Sequence, residues 1–226
     1  MLPGPIIIKK CPDCSGLIEE NTILSGNTFG VKFWTDGKKD APMLIEQPRL
    51  AKCPHCDFLV WTDELQVVGE IKRRTFPELE WSDKRNELVL VKSKDEIKYE
   101  GATPYETPSF GEYLSKINEG VIAEEKEAYL RICAWHKGND KRRYDKEKED
   151  MCDEEIENLI SLDKMLSCSD DDNRILRAEI KRELCLFDDA LAILDEYFDN
   201  EYFFMVSRIK ELAERRYRFV SKVTLA

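Results

Sequence analysis

Hydrophobic and polar positions change rhythm once along this chain. From Ile6 to about Gly69 the apolar residues come in short runs with strand character: Thr28-Phe29-Gly30-Val31-Lys32-Phe33-Trp34 alternates, Asp36-Gly37 is a turn signal, and Phe58-Leu59-Val60-Trp61 forms a further run. From 70 to 108 no period is sustained, although Glu87-Leu88-Val89-Leu90-Val91 reads as one strand and 104–108 as an extended connector. From Ser109 onward apolar residues recur at three and four. Ser109-Phe110-Gly111-Glu112 is a capping box, in which the hydroxyl and the carboxylate each satisfy an orphan backbone N–H, and it predicts a helix to Gly120. A second helix is predicted over 121–137, with Tyr129, Ile132 and Cys133 inward and Gly138 as its stop. A charge run, Asp140 to Asp150, follows it. Four more helices are predicted over 153–166, 173–184, 189–198 and 201–220, carried by Leu159, Ile180, Leu194, Ile209 and their periodic neighbours. The expected class is α+β: a small β-rich domain over 1–69, a linker over 70–108 and an all-α domain over 109–226.

The β-rich stretch carries two matched turns, Cys11-Pro12-Asp13-Cys14 and Cys53-Pro54-His55-Cys56. Proline at the second position pre-sets each turn, and a C-x2-C spacing presents two thiolates to one metal. Cys11, Cys14, Cys53 and Cys56 are therefore the expected ligands of one structural Zn2+, and the knuckles with their strands predict a zinc ribbon. The insert 15–52 is longer than the usual 15–20 residues between knuckles. Doubling a flexible loop costs only about 0.6 kcal/mol, whereas structural zinc contributes on the order of 10 to 16 kcal/mol in small peptides. Four thiolates complete the tetrahedron, which leaves His55 as a turn residue.

Composition narrows the classes. The 226 residues are 42% hydrophobic and 36% charged, enough apolar material for real cores. No stretch approaches the roughly 18 unbroken apolar residues of a membrane span, and the start resembles no signal peptide. A cytoplasmic protein with reduced thiols is expected, with Cys133, Cys152, Cys168 and Cys185 as small hydrophobes on or near a helix core. The net charge of −11 disfavours polyanions and favours basic partners.

Within the helical half, Ala178 through Tyr197, with Phe187 before Asp188-Asp189-Ala190 and then Leu194, resembles the helix-turn-helix of a tetratricopeptide repeat (TPR). Cys185-Leu186 stand where that repeat has its turn glycine. A CPxC ribbon ahead of such helices is similar to bacterial proteins of unknown function that combine a zinc ribbon with TPR-like helices. That resemblance implies a zinc-ligand role for the four knuckle cysteines and nothing more.

Other chemistries are thinly provisioned. Cys53-Pro54-His55-Cys56 also resembles the dithiol of periplasmic thioredoxin-like disulfide oxidases, but strand-like residues follow it where that fold needs a helix. His136 is expected to cap a helix C-terminus, where the dipole favours a cation. Ser169-Asp170-Asp171-Asp172-Asn173 reads as a helix cap rather than a cation loop. No phosphate-binding glycine loop is present. Three basic-aromatic patches (72–76, 141–144 and 215–219) leave single-stranded nucleic acid as the alternative ligand. The expectation is a non-enzymatic zinc-binding protein that docks a protein or peptide, with Trp34 and Trp61 packing the sheet or forming part of an exposed face.

Overall fold

Two Cys-Pro-x-Cys turns each reverse a pair of strands, and that repetition organises the N-terminal half. The computed structural model describes residues 1–44, 46–74, 78–144 and 148–224. Its elements are, in chain order, β1 (Leu2–Lys10), β2 (Leu17–Ser25), β3 (Lys32–Trp34), β4 (Lys39–Asp40), β5 (Leu50–Lys52), β6 (Leu59–Trp61), β7 (Gln66–Ile71), β8 (Leu79–Ser82), β9 (Glu87–Leu90), α1 (Lys94–Lys98), β10 (Thr103–Pro104), α2 (Phe110–Asn118), α3 (Glu124–Tyr144), α4 (Asp153–Met165), α5 (Asp171–Glu183), α6 (Phe187–Leu194), a 3-10 turn (Asn200–Tyr202), α7 (Phe203–Glu214) and β11 (Lys222–Val223). A β-rich region thus precedes a helical one, an α+β arrangement. The chain divides into two compact units, 1–30 with 41–108, and 31–40 with 109–226.

In the first unit β1 and β2 pair antiparallel from Lys10↔Leu17 outward, β7 lies on the other side of β1, and β10 joins β2 in parallel. The second knuckle repeats the plan in miniature, with Lys52 opposite Leu59 in the β5–β6 pair. Ile18, Val60 and Leu65 pack against the buried Cys11 and Cys53, and Ile8, Ile71 and Tyr99 form a neighbouring cluster. The range read as a linker contains the end of β7, the β8–β9 hairpin, α1 and β10. The strand expected over 87–91 is β9, and the other elements of the range are each too short to show a period. Ser93 and Glu96 cap α1 with a second capping box.

In the second unit α2 begins at Ser109 with the predicted box, Glu112 N–H donating to Ser109 Oγ at 3.3 Å and Ser109 N–H to Glu112 Oε2 at 2.7 Å. Gly138 does not stop α3, which continues to Tyr144. A Cβ at 138 would lie 2.5 Å from Glu155 Oε1, so glycine is there for close packing against α4. The charge run is therefore part helix; its residues 145–147 lie outside the described residues, as do Thr75 and Phe76 of the first basic patch. Helices α4, α5 and α6 fall within the predicted spans or start two residues earlier. The last helix ends at Glu214, short of the predicted 220, because Arg216 adopts φ +50° and Tyr217 N–H closes back on Leu212 O at 2.9 Å.

The α5–α6 turn uses the same device. Cys185 has φ +63°, with Cys185 N–H on Arg182 O at 3.0 Å and Leu186 N–H on Lys181 O at 2.8 Å, a Schellman closure with a side chain where glycine is preferred. Cys185→Gly should therefore stabilise the protein by about 0.5–1 kcal/mol, since it relieves left-handed strain of about 1–2 kcal/mol against a smaller entropy cost. Urea midpoints of the two proteins check this, and a lower midpoint for the glycine variant counts against it.

Candidate metal centre and the buried ionic core

Each knuckle is held by the same backbone bonds. Cys11 N–H donates to Gly16 O at 3.0 Å and Ser15 N–H to Cys11 O at 3.1 Å; Cys53 N–H donates to Phe58 O at 2.9 Å and Asp57 N–H to Cys53 O at 3.0 Å. Ser15 and Asp57, each just after the second cysteine, both sit in the left-handed region at φ +63° and +61°. Two equivalent turns thus face each other. The four Sγ atoms lie within 4.8 Å of one another. Cys11 to Cys56 and Cys14 to Cys53 both measure 3.8 Å. A zinc ion 2.3 Å from four thiolates at tetrahedral corners sets its sulfurs about 3.8 Å apart, against about 2.05 Å in a disulfide. The donor set and its spacing fit a metal ion of tetrahedral preference.

The thiols are not equivalent. Cys14 is exposed and lowered to about 7, first by the Gly16 N–H that donates to its sulfur at 3.4 Å and then by Cys56. Burial pushes Cys53 up. At Cys56 the Phe58 N–H pulls downward, but desolvation and the neighbouring thiols outweigh it and the group is raised. Cys53 follows strand β5, not a helix N-terminus, and its raised thiol is the reverse of what a dithiol oxidase needs in its attacking cysteine. His55 stays out of the quartet: its Nε2 donates to Leu17 O, 2.8 Å away across the facing knuckle. Its ring also fills the space above Gly16, where a Cβ would meet it at 2.4 Å.

The helical unit holds a second concentration of chemistry, which the sequence did not reveal. Asp36, at the tip of the β3–β4 hairpin, is fully buried and paired bidentately with the buried Arg143 of α3, Oδ1 taking one N–H at 3.0 Å. Asn139 donates to the same carboxylate at 3.1 Å, and His136 Nε2 donates to the Asp36 carbonyl at 2.9 Å. Arg142 forks onto Glu155 at 3.0 and 2.6 Å, and Arg182 onto Glu179 at 2.7 and 2.5 Å. Trp34 Nε1 donates to Asp40 at 2.8 Å, with the Arg143 guanidinium over its ring. Trp34 and Trp61 are both buried. His136 is therefore a mid-helix, half-buried ring rather than a capping cation, and burial lowers its pKa against the upward pull of Asp36. Of the four singleton cysteines, Cys133 is half-buried and Cys152, Cys168 and Cys185 are exposed, contrary to the expected core role.

Four carboxyls are buried among the described residues of this unit, Asp36, Glu155, Glu179 and Glu183, against three guanidiniums. Glu183 is the odd one: its oxygens accept from Trp135 Nε1 at 2.9 Å and Asn139 Nδ2 at 3.0 Å. Burial, then the charge of Glu179, raises it from 4.5 to about 8. The native state thus keeps a proton that the unfolded chain releases, so this group lowers stability as pH rises between those values. Glu183→Gln should gain on the wild type over that window by on the order of a few kcal/mol. Urea denaturation of both proteins at pH 5 and pH 8 tests this; a pH-independent difference would contradict it.

The basic patches are engaged internally. Arg73 donates to Gly4 O and Asn21, Arg74 pairs with Glu78 and Glu96, and Arg142 and Arg143 are core residues. Arg215, Arg216 and Arg218 pair with Glu211, Asp188 and Asp150. The acidic segment 169–173 caps α5, Asp170 accepting from Asp172 N–H at 3.1 Å. Among the described residues, no helix is long and apolar enough to cross a membrane. No protein-family model, curated protein or solved structure matches the chain.

Proposed function

We propose that this chain is a non-enzymatic, zinc-stabilised interaction protein. Cys11, Cys14, Cys53 and Cys56 hold one structural Zn2+ between the facing knuckles of a zinc-ribbon-like unit, and a helical unit with a TPR-like α5–α6 hairpin presents the surface that meets a protein or peptide. The observation that carries the reading is the thiol quartet, with two Sγ–Sγ separations of 3.8 Å that match a ZnS4 tetrahedron. Zinc closes the fold; it takes no part in a reaction, since four thiolates leave no open position for water or substrate. A protein partner is preferred over nucleic acid because the arginines of all three basic patches are paired or bonded within the chain, and because the net charge is −11.

The test uses the full-length protein purified under reducing conditions. Elemental mass spectrometry should give one zinc per chain, and affinity capture with that protein should retrieve a reproducible protein partner whose retention survives nuclease treatment. A chain without metal refutes the zinc centre. Capture abolished by nuclease, or no reproducible partner, refutes the interaction reading.

A further inference from the structure

The helical unit contains a groove of about 640 Å³, in the range of sites that take a small ligand or a short peptide segment. Its apolar lining includes Phe33, Ile132, Leu176 and Met205, and Phe204 stands at it with more than a third of its surface exposed. Phe203, the neighbour of Phe204, is more exposed still and meets it edge to face at 5.6 Å. His136 also lines the groove. Because its Nε2 bonds a carbonyl, which can only accept, that nitrogen carries a hydrogen.

One side of the groove is acidic. Asp172 of α5 and Glu201 of the 3-10 turn line it, and neither is in an ion pair among the described residues. Their two segments are tied together, with Asp199 N–H on Asp171 Oδ2 at 3.4 Å and Arg174 bridging Asp171 and Glu196 at 2.7 and 2.8 Å. Asp172 also suits the N-terminus of its own helix, but no helix dipole explains Glu201. Among the described residues Lys39 is the one cation in the lining, and the Asp36 carboxylate there is paired with Arg143, so Asp172 and Glu201 leave the rim negative.

We propose that this groove binds a peptide segment of a partner protein in which an aromatic or branched aliphatic anchor is flanked by lysine or arginine. The anchor fills the apolar floor, and the flanking cations face Asp172 and Glu201. Sign complementarity at a rim sets orientation and rejects acidic competitors more than it supplies affinity, while the anchor supplies the affinity. The inference rests on the reading of the chain as an interaction protein.

The probes are two immobilised dodecapeptide libraries with a central Phe or Leu, one with flanks drawn from Lys, Arg, Ala and Ser, the other with Asp and Glu replacing Lys and Arg. Zinc-loaded full-length protein should enrich peptides from the basic library only. A peptide so enriched should shift the methyl resonances of Ile132, Ile175, Leu176 and Val223. The double variant Asp172→Lys/Glu201→Lys changes two exposed side chains and should weaken that peptide about tenfold, and Phe204→Ser should weaken it independently. Enrichment from neither library or from the acidic one, or affinity unmoved by both variants, overturns the proposal. Capture of the same lysate partner by wild type and double variant refutes the groove while leaving the interaction reading intact. Absence of any partner for the wild type refutes that reading itself.

Discussion

Treating the protein with a strong metal chelator should erase amide-exchange protection in β1, β2, β5 and β6 while α4 to α7 keep theirs. The expectation follows from where the quartet sits. Both knuckles close the ends of their strand pairs, and Cys11 and Cys53 are part of the apolar cluster with Ile18, Val60 and Leu65. Without metal, four thiols, two of them buried in that cluster, converge within 4.8 Å. Zinc bound by four thiolates contributes on the order of 10 kcal/mol or more in small zinc peptides, comparable to the whole stability of a domain. Cys53→Ser should behave like chelation, because it removes a buried thiol of the quartet. Cys14→Ser alters the exposed corner and should weaken zinc retention with a smaller loss of protection. Hydrogen exchange read by mass spectrometry at matched zinc content decides the matter; protection unchanged by chelation would mean that the thiols do not hold the fold.

What the sequence made legible was local. A knuckle is four residues long, and its proline and cysteines announce the turn without reference to the rest of the chain. The capping box at Ser109 is equally self-contained, and it lies where expected. Errors came where the deciding partner is remote. Gly138 reads as a helix stop when only its neighbours are considered, but its place in α3 is fixed by Glu155 on the next helix. Lys141-Arg142-Arg143-Tyr144 reads as a basic-aromatic patch open to nucleic acid, yet two of its three cations are buried because Glu155 and Asp36 meet them. Burial of a charge depends on a partner, and no window of sequence shows a partner 107 positions away. Asp36-Gly37 was legible as a turn, with Gly37 at φ +80°, but the destination of the Asp36 carboxylate was not. The four thiols suggested a metal because soft ligands in repeated spacing have few other uses; no comparable code exists for a groove assembled from β3, α3, α5, α7 and β11.

Asp36→Ala should destabilise the helical unit by about 3–5 kcal/mol, the cost of leaving a buried guanidinium without its counter-charge. Arg143 has no exposed side-chain surface, and after the truncation its remaining ion-pair partner is Asp140, at 3.1 Å from Nε. Asn139 and Lys38 N–H lose the same acceptor. Replacing both members, as Asp36→Ala with Arg143→Met, should recover much of the loss, because desolvating a paired charge costs nearly as much as the pair returns. Acid should mimic the single substitution. Burial alone would raise the Asp36 carboxyl, but His136, Arg143 and Asn139 outweigh it and hold it below its ordinary 3.8. A depressed carboxyl contributes stability that is complete above the unfolded value and drains as pH falls through the folded one. Urea midpoints followed by tryptophan fluorescence should therefore fall below about pH 4 in the wild type. In the double variant that acid-dependent loss should be smaller, with Trp34 and Trp135 reporting from within the unit that the pair holds together. If the double variant were as unstable as Asp36→Ala, the pair would owe its place to shape rather than to charge.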